Sequence, residues 1–167
     1  FPSVDGVPVA FKALNRNKRG ITLDMRKPEG AALLRRLVTE VDVVVENFSA
    51  GTMERWGLGY ETLAALNPRL IYAALSGFGQ TGPYADRTSY DIIAQAMGGL
   101  MALTGFEDGP PMRGGGSLGD FIGGAFLAIA VLGAVHHRAR TGEGQMVDVS
   151  NMDAIFAMLD NWPTVYA

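Results

Sequence analysis

The sequence contains no cysteine. That excludes disulfide frameworks, thiolate metal sites and cysteine nucleophiles. Histidine is nearly as scarce, with two copies standing side by side as His136 and His137. Helical neighbours point about 100° apart, so the pair cannot chelate one metal ion. With Arg138 and Arg140 they suit the negative C-terminal end of a helix, and no metal site is expected. Charged residues make up only 19% of the chain, with a net charge of −3. A nucleic-acid binder normally carries a basic stripe, so no nucleic-acid partner is expected. The N-terminus lacks a basic segment followed by an apolar stretch, which excludes a signal peptide within these residues. The most apolar run, Phe121 to Val135, holds fifteen uncharged residues. A bilayer needs about 20, so a buried core helix is expected there and no membrane partner. Cytoplasm is the expected compartment. Three motifs are missing as well: the Gly-x-Gly-x-x-Gly fingerprint, the Walker P-loop and the Gly-x-Ser-x-Gly elbow. Gly114-Gly115-Gly116 is not followed by the Lys-Ser/Thr that phosphate cradling requires.

What is present is apolar material and glycine. Hydrophobic residues are 48% of 167, with 22 glycines, enough for a core of one ordinary domain. The sequence starts at Phe1 rather than Met and stops at Ala167 inside a patterned segment. A piece of a longer chain is therefore expected.

Hydrophobic spacing gives the elements. Ile21 to Met25 reads as a short strand. Pro28 and Glu29 suit a first helical turn, and Leu33, Leu34, Leu37, Val38 and Val41 carry helical spacing, predicting a helix over 28–40. Val43-Val44-Val45 marks a buried strand. Short helices follow near 51–56 and 61–66, then a strand over 70–75. A helix is expected over 89–101, a Gly/Pro-rich loop over 105–116 and the long apolar helix over 119–140, stopped at Thr141-Gly142. A strand over 145–149 leads to a last helix capped by Ser150 or Asn151. Strands alternating with helices predict an α/β fold with a mostly parallel sheet buried on both faces.

Two places invite chemistry. Asp120 heads the long helix after the glycine-rich loop. Aspartate there serves as a plain cap in many helices. It can also act as a nucleophile toward an acyl carbonyl, kept ionised by the helix dipole and poorly hydrated beside Phe121 and Ile122. Gly119, Gly123 and Gly124 leave a substrate room to approach. The second place is Asn47-Phe48-Ser49, at the C-terminal end of the Val-rich strand, where open α/β sheets bind ligands. An amide, an aromatic ring and the nearby Arg55 suit a nucleotide-bearing ligand, although Phe48 in the core and Arg55 on the surface fit the residues equally well.

Read in order, several stretches resemble the family III CoA-transferases (CaiB/BaiF), which include the alpha-methylacyl-CoA racemases. They are 15–24 (Asn-Arg-Asn-Lys-Arg-Gly-Ile-Thr-Leu-Asp), Lys27-Pro28-Glu29-Gly30, 42–48 (Asp-Val-Val-Val-Glu-Asn-Phe) and 66–71 (Leu-Asn-Pro-Arg-Leu-Ile). Ser76-Gly77-Phe78-Gly79, Leu118-Gly119-Asp120, 140–145 (Arg-Thr-Gly-Glu-Gly-Gln) and Val147-Asp148 complete the set. The resemblance implies a Rossmann-like open, mostly parallel sheet with flanking helices. It places residues 1–167 within the large CoA-binding and catalytic domain of a longer chain, incomplete here, that forms an interlocked homodimer.

The resemblance also implies roles. Asp120 matches the catalytic aspartate, which attacks an acyl-CoA thioester to give an aspartyl anhydride and then an aspartyl-CoA thioester. An acceptor carboxylate completes the exchange. CoA contacts fall on Leu23, Asp24, Met25 and Arg26, on Asn47, Phe48 and Ser49, on Arg55, and on Thr88, Ser89, Tyr90 and Asp91. Arg26 and Arg55 would meet phosphates and Phe48 the adenine. Thr88 replaces a lysine found in some members. CoA and acyl-CoA are expected as substrates, with no tightly bound cofactor. In the racemases a His-Asp pair stands where Tyr90-Asp91 stands here. Tyrosine, with an ordinary pKa of about 10, is a poor proton-transfer base at neutral pH, which favours transferase over racemase. The alternatives are an isomerase acting at the acyl-CoA α-carbon and a CoA-binding piece without chemistry.

Overall fold

The computed structural model describes residues 2–165, so Phe1, Tyr166 and Ala167 lie outside the described residues. The first elements are a small antiparallel hairpin, β1 (Ser3–Val4) and β2 (Val7–Pro8), followed by α1 (Val9–Leu14). Asp5-Gly6 is the sequence signal for this hairpin. Both residues take positive φ, 53° and 74°, as a two-residue hairpin turn demands.

The strand expected over 21–25 does not form. A strand needs a hydrogen-bonded neighbour, and none of the sheet strands pairs with this segment. Ile21 is exposed, while Met25 packs on the core. The segment instead docks through its backbone: a Cβ at Gly30 would stand 2.0 Å from the Asp24 carbonyl oxygen, so only glycine fits.

The remaining elements follow the α/β alternation. They are α2 (Pro28–Val38), β3 (Val43–Glu46), α3 (Thr52–Arg55), α4 (Tyr60–Leu66), β4 (Ile71–Ser76) and α5 (Asp91–Met97). A 3₁₀ turn (Leu100–Leu103) precedes α6 (Leu118–Thr141), β5 (Met146–Ser150), α7 (Asn151–Ala157) and α8 (Trp162–Val165). The single helix expected over 89–101 is therefore split. Gly99 takes φ 89°, which ends α5, and Gly98 lets Ile155 approach where a Cβ would meet it at 2.6 Å.

Strands β3, β4 and β5 form a parallel sheet in that order. The central strand β4 shows how both faces are filled. Tyr72 and Ala74 point into a core built with Ala31, Val38, Met53, Leu58, Leu63 and Leu70. Ile71 and Ala73 point the other way, against Leu127 and Ala134 of α6 and Val147 of β5. Period-two alternation with apolar residues on both sides is what a covered parallel strand requires.

Helix α6 corrects one expectation. It was expected as a buried core helix, yet its buried residues are Gly119, Gly123, Leu127 and Ala134, a single row facing the sheet and its neighbours. Small residues in that row allow close approach. Phe121, Ile129 and Leu132 are more than half exposed on the other faces. Nothing within residues 2–165 covers them. By length and composition alone this helix is apolar enough to cross a membrane. Gly142, at φ 82°, ends the helix at the expected stop. Near that end Arg138 pairs with Asp42 at 3.0 Å and donates to the Arg69 carbonyl at 3.2 Å, fixing α6 to the starts of β3 and β4.

Candidate functional site

The three parallel strands end at Glu46, Ser76 and Ser150. The next residues, Asn47, Gly77 and Asn151, therefore meet at one edge of the sheet. This C-terminal edge is where open α/β folds present a ligand crevice. A cleft of about 390 Å³ opens there, lined by Asn47, Leu75, Ser76, Gly77, Ser89, Tyr90, Asp120 and Asn151. A smaller polar hollow continues from it along Phe48, Ser49, Arg87 and Thr88, sharing Asn47, Ser76, Gly77 and Ser89 with the cleft. The two hollows thus join Asp120 to the Asn47-Phe48-Ser49 segment, which lies 73 residues earlier in the chain.

Asp120 stands in the first turn of α6. Capping does not explain it. The N-cap is Ser117, which makes no side-chain cap bond. The Gly119 N–H instead donates to Asp91 Oδ1 at 2.7 Å. Asp91 Oδ2 accepts from Gln95 Nε2 at 2.9 Å and from Arg113 Nη2 at 2.8 Å. The Asp91 carboxylate is buried and fully occupied by these bonds, so it shapes the cleft from behind. The Gly114 N–H donates to Gln95 Oε1 at 2.9 Å, which anchors the glycine run onto α5. That run carries the chain into α6 at a fixed angle.

Asp120 keeps its own oxygens for the cleft. Among the described residues its side chain meets one hydrogen-bond partner, Asn151 Nδ2, at 3.4 Å. Desolvation in the cleft raises the Asp120 pKa above the ordinary 3.8, and the negative charge of Asp91 adds to the rise while Arg113 opposes it. Partial burial and a like charge thus work against the helix end, which was expected to favour the ionised form. Phe121, expected to shield Asp120, points to solvent.

The other predicted residues divide. Asn47, Phe48, Ser49, Thr88, Ser89 and Tyr90 come together along the two hollows. Phe48 is partly exposed and lies edge-on to Trp56, with ring centroids 5.2 Å apart. Its backbone N–H donates to Glu46 Oε2 at 2.7 Å. Burial pushes the Glu46 carboxyl up, against the pull of that N–H. Leu23, Asp24, Met25, Arg26 and Arg55 line neither hollow. The Arg26 guanidinium holds Asp24 through two bonds of 2.8 and 3.1 Å. Arg55 donates to Thr52 Oγ1 at 2.7 Å.

Sequence reasoning missed three contributors. Asn151 was weighed only as a helix cap, and Ser150 fills that role, its Oγ accepting from the Asp153 N–H at 3.1 Å. Ser76, given no role of its own within the Ser76-Gly77-Phe78-Gly79 stretch, has its Oγ buried and without a hydrogen-bond partner among the described residues. Arg87 lies in the smaller hollow beside Thr88, its guanidinium 4.1 Å from the Tyr84 ring centre. Only its adjacency to the Thr88–Asp91 stretch could have pointed to it. Among the described residues no cluster of His, Asp or Glu could hold a metal ion.

A family model described as CoA-transferase family III matches residues 2–167. A succinyl-CoA–D-citramalate CoA-transferase of Chloroflexus aurantiacus is 52% identical over 151 residues, covering 90% of this chain and 38% of that protein. An acetyl-CoA:oxalate CoA-transferase of Acetobacter aceti is 47% identical over 161 residues, covering 96% of this chain and 41% of that protein. The crystal structure of a CaiB/BaiF family protein from Brucella suis superposes with a TM-score of 0.92 at 46% identity, over 99% of this chain and 44% of that one. The chain thus spans about two fifths of the length of the relatives it matches.

Proposed function

Since the chain belongs to CoA-transferase family III, we propose that the protein moves CoA from an acyl-CoA to a free carboxylic acid, with Asp120 as nucleophile. The observation that carries this reading is the placement of Asp120. It is a carboxylate at the sheet's C-terminal edge, relieved of capping by Asp91 and facing a cleft large enough for an acyl group. Partial desolvation, with the like charge of Asp91 adding to it, raises the Asp120 pKa, and a less hydrated carboxylate oxygen is the better nucleophile.

Attack on the thioester carbon forms an aspartyl acyl anhydride and releases CoA thiolate. The thiolate then attacks the Asp120 carboxyl carbon, freeing the first acid and leaving an aspartyl-CoA thioester. An acceptor carboxylate reverses these two steps. Splitting the exchange this way replaces one difficult step with easier acyl transfers. Tyr90, more than half exposed at the cleft mouth, fits a substrate-facing hydroxyl. Its place in the cleft, without a histidine, supports transferase over racemase.

Phe48, Ser49, Arg87 and Thr88 along the second hollow suit the CoA end of the donor, Arg87 bringing a cation beside Thr88. CoA enters as substrate, and no tightly bound cofactor is needed for this chemistry. Residues 1–167 form part of the large domain of a longer cytoplasmic protein that works as an interlocked homodimer, without nucleic-acid or membrane partners. Succinyl-CoA, named for the Chloroflexus relative, is the first donor to try. The test uses the full-length protein. Asp120→Ala should abolish exchange, and hydroxylamine should trap an acyl adduct at Asp120 in the unmutated protein. Full exchange by the alanine variant would end the proposal.

A further inference from the structure

We infer that Asn151 is a positioning residue for Asp120: it holds Oδ1 of the carboxylate, leaves Oδ2 as the attacking atom, and donates to Oδ1 when that oxygen becomes an oxyanion. The inference rests on the transferase reading above and adds a role for a residue outside it.

Three observations meet at this side chain. The first is the contact: Asn151 Nδ2 donates to Asp120 Oδ1 at 3.4 Å, a long bond of the kind that tightens when substrate binds. The second is the other end of the amide. Asn151 Oδ1 is buried and has no hydrogen-bond partner among the described residues. Turning the amide over would set its oxygen against the carboxylate, so the carboxylate selects the donor end. The third is Gly123, one helical turn after Asp120. A Cβ there would stand 1.9 Å from Asn151 Oδ1, so the amide occupies space that only glycine leaves open. Folding alone does not require this arrangement, since Ser150 caps α7. The Met152 N–H also donates to the Gly77 carbonyl at 3.1 Å, tying the first turn of α7 to the end of β4. Asn151 is thereby held at the cleft by its backbone.

The chemistry assigns each oxygen. Oδ2 attacks the thioester carbon, a C–O bond forms, the C–S bond breaks and its electron pair leaves on sulfur. The anhydride is then bridged by Oδ2, and Oδ1 is the carbonyl oxygen of Asp120. When the thiolate attacks the Asp120 carboxyl carbon, an S–C bond forms and the carbonyl pair moves onto Oδ1. The Nδ2–H of Asn151 already faces that atom. Collapse breaks the bond from the carboxyl carbon to Oδ2, and the released acid carries Oδ2 away. No proton, oxidant or further reactant is needed. Such a donor acts on the transition state and leaves ground-state binding of CoA nearly untouched.

The experiment uses the full-length protein with succinyl-CoA, alone and with acceptor acid. Loss of one oxyanion donor costs about 10²–10³ in kcat, so Asn151→Ala and the shape-preserving Asn151→Asp should both fall that far, with KM for succinyl-CoA little changed. Mass spectrometry of enzyme quenched after succinyl-CoA alone should show the variants stalled at the succinyl anhydride where the unmutated protein passes on to the CoA thioester. Wild-type kcat in both variants overturns the inference. A lower kcat with unaltered partitioning between the two adducts also overturns it, since that is the mark of a merely structural role. Failure of the transferase reading is distinguishable, because it shows as activity surviving Asp120→Ala.

Discussion

The Asp91 carboxylate accepts the Gly119 N–H at 2.7 Å and so caps helix α6 from a different element, one residue before Asp120. This division of labour separates two carboxylates that the sequence places near a helix start. One is buried and holds the fold, and the other is left for the cleft. Asp91→Ala would strand the Gly119 N–H and the Gln95 amide N–H at once and leave Arg113 with its bond to the Gly116 carbonyl. A loss of about 2–3 kcal/mol is expected on chemical denaturation. Asp91→Asn keeps an acceptor for Gly119 but turns an amide N–H toward the Gln95 and Arg113 donors, so it should cost less than alanine only by the Gly119 bond.

Asp120 should set an acid limb in the rate profile. Its pKa is raised in the folded state by desolvation, then by Asp91, with Arg113 opposing. Between the ordinary value of 3.8 and the raised one, the folded chain binds the proton more tightly than the unfolded chain. Stability therefore falls as pH rises through that window, and ionised Asp120 weighs against folding at neutral pH. Asp120→Asn should accordingly raise the denaturation midpoint at pH 7, a gain that shrinks as pH is lowered toward 3.8. In the active protein kcat/KM should rise with pH through the Asp120 pKa. Asp91→Asn, which removes the neighbouring negative charge, should move that limb to lower pH. An unmoved limb would mean that Asp91 does not act on Asp120.

Much of the architecture is legible in one dimension. Val43-Val44-Val45, the Pro28-Glu29 start and the Thr141-Gly142 stop each act through local physics, and each element forms, but β3 lies at the edge of the described sheet and is not the buried strand expected: Val45 is exposed and Glu46 is its buried residue. Ile21 to Met25 shows the limit, because apolar character cannot supply the hydrogen-bonded neighbour that a strand requires. The site divides in the same way. Asp120 and Asn47 stand at element ends and are visible as such. Asn151 becomes visible only when β5 is set beside β4, with Ser76 opposite Ser150. Arg26 was expected at a phosphate because it is a cation in the right stretch. Its pairing with Asp24, two residues away, depends on a turn that the strand reading did not contain.

Arg87 gives a test of the second hollow. Its guanidinium rests over Tyr84, which itself lies edge-on to Phe78 at 5.6 Å, so the cation is presented on an aromatic stack. A charged hydrogen bond to a phosphate contributes about 1.5–3 kcal/mol. Arg87→Met should therefore weaken CoA binding by roughly tenfold or more, read by calorimetry on the full-length protein, with the denaturation midpoint little changed. Unchanged affinity would remove Arg87 from the CoA site.

Two glycines of α6 should respond in opposite ways to the same substitution. At Gly133 an added Cβ meets nothing within 4 Å. Alanine there only reduces the backbone freedom lost on folding, so Gly133→Ala should stabilise by about 0.5–1 kcal/mol and leave activity unchanged. At Gly123 the Cβ would stand 1.9 Å from Asn151 Oδ1 and 3.2 Å from Leu75 Cδ1. The helix-propensity gain is the same, but the amide must move, and it carries the contact to Asp120 with it. Gly123→Ala should therefore lower kcat as Asn151→Ala does, and the double variant should lose little more than either single one. Additive losses would mean that Gly123 affects the cleft by a route other than Asn151, since residues acting through one shared contact do not sum.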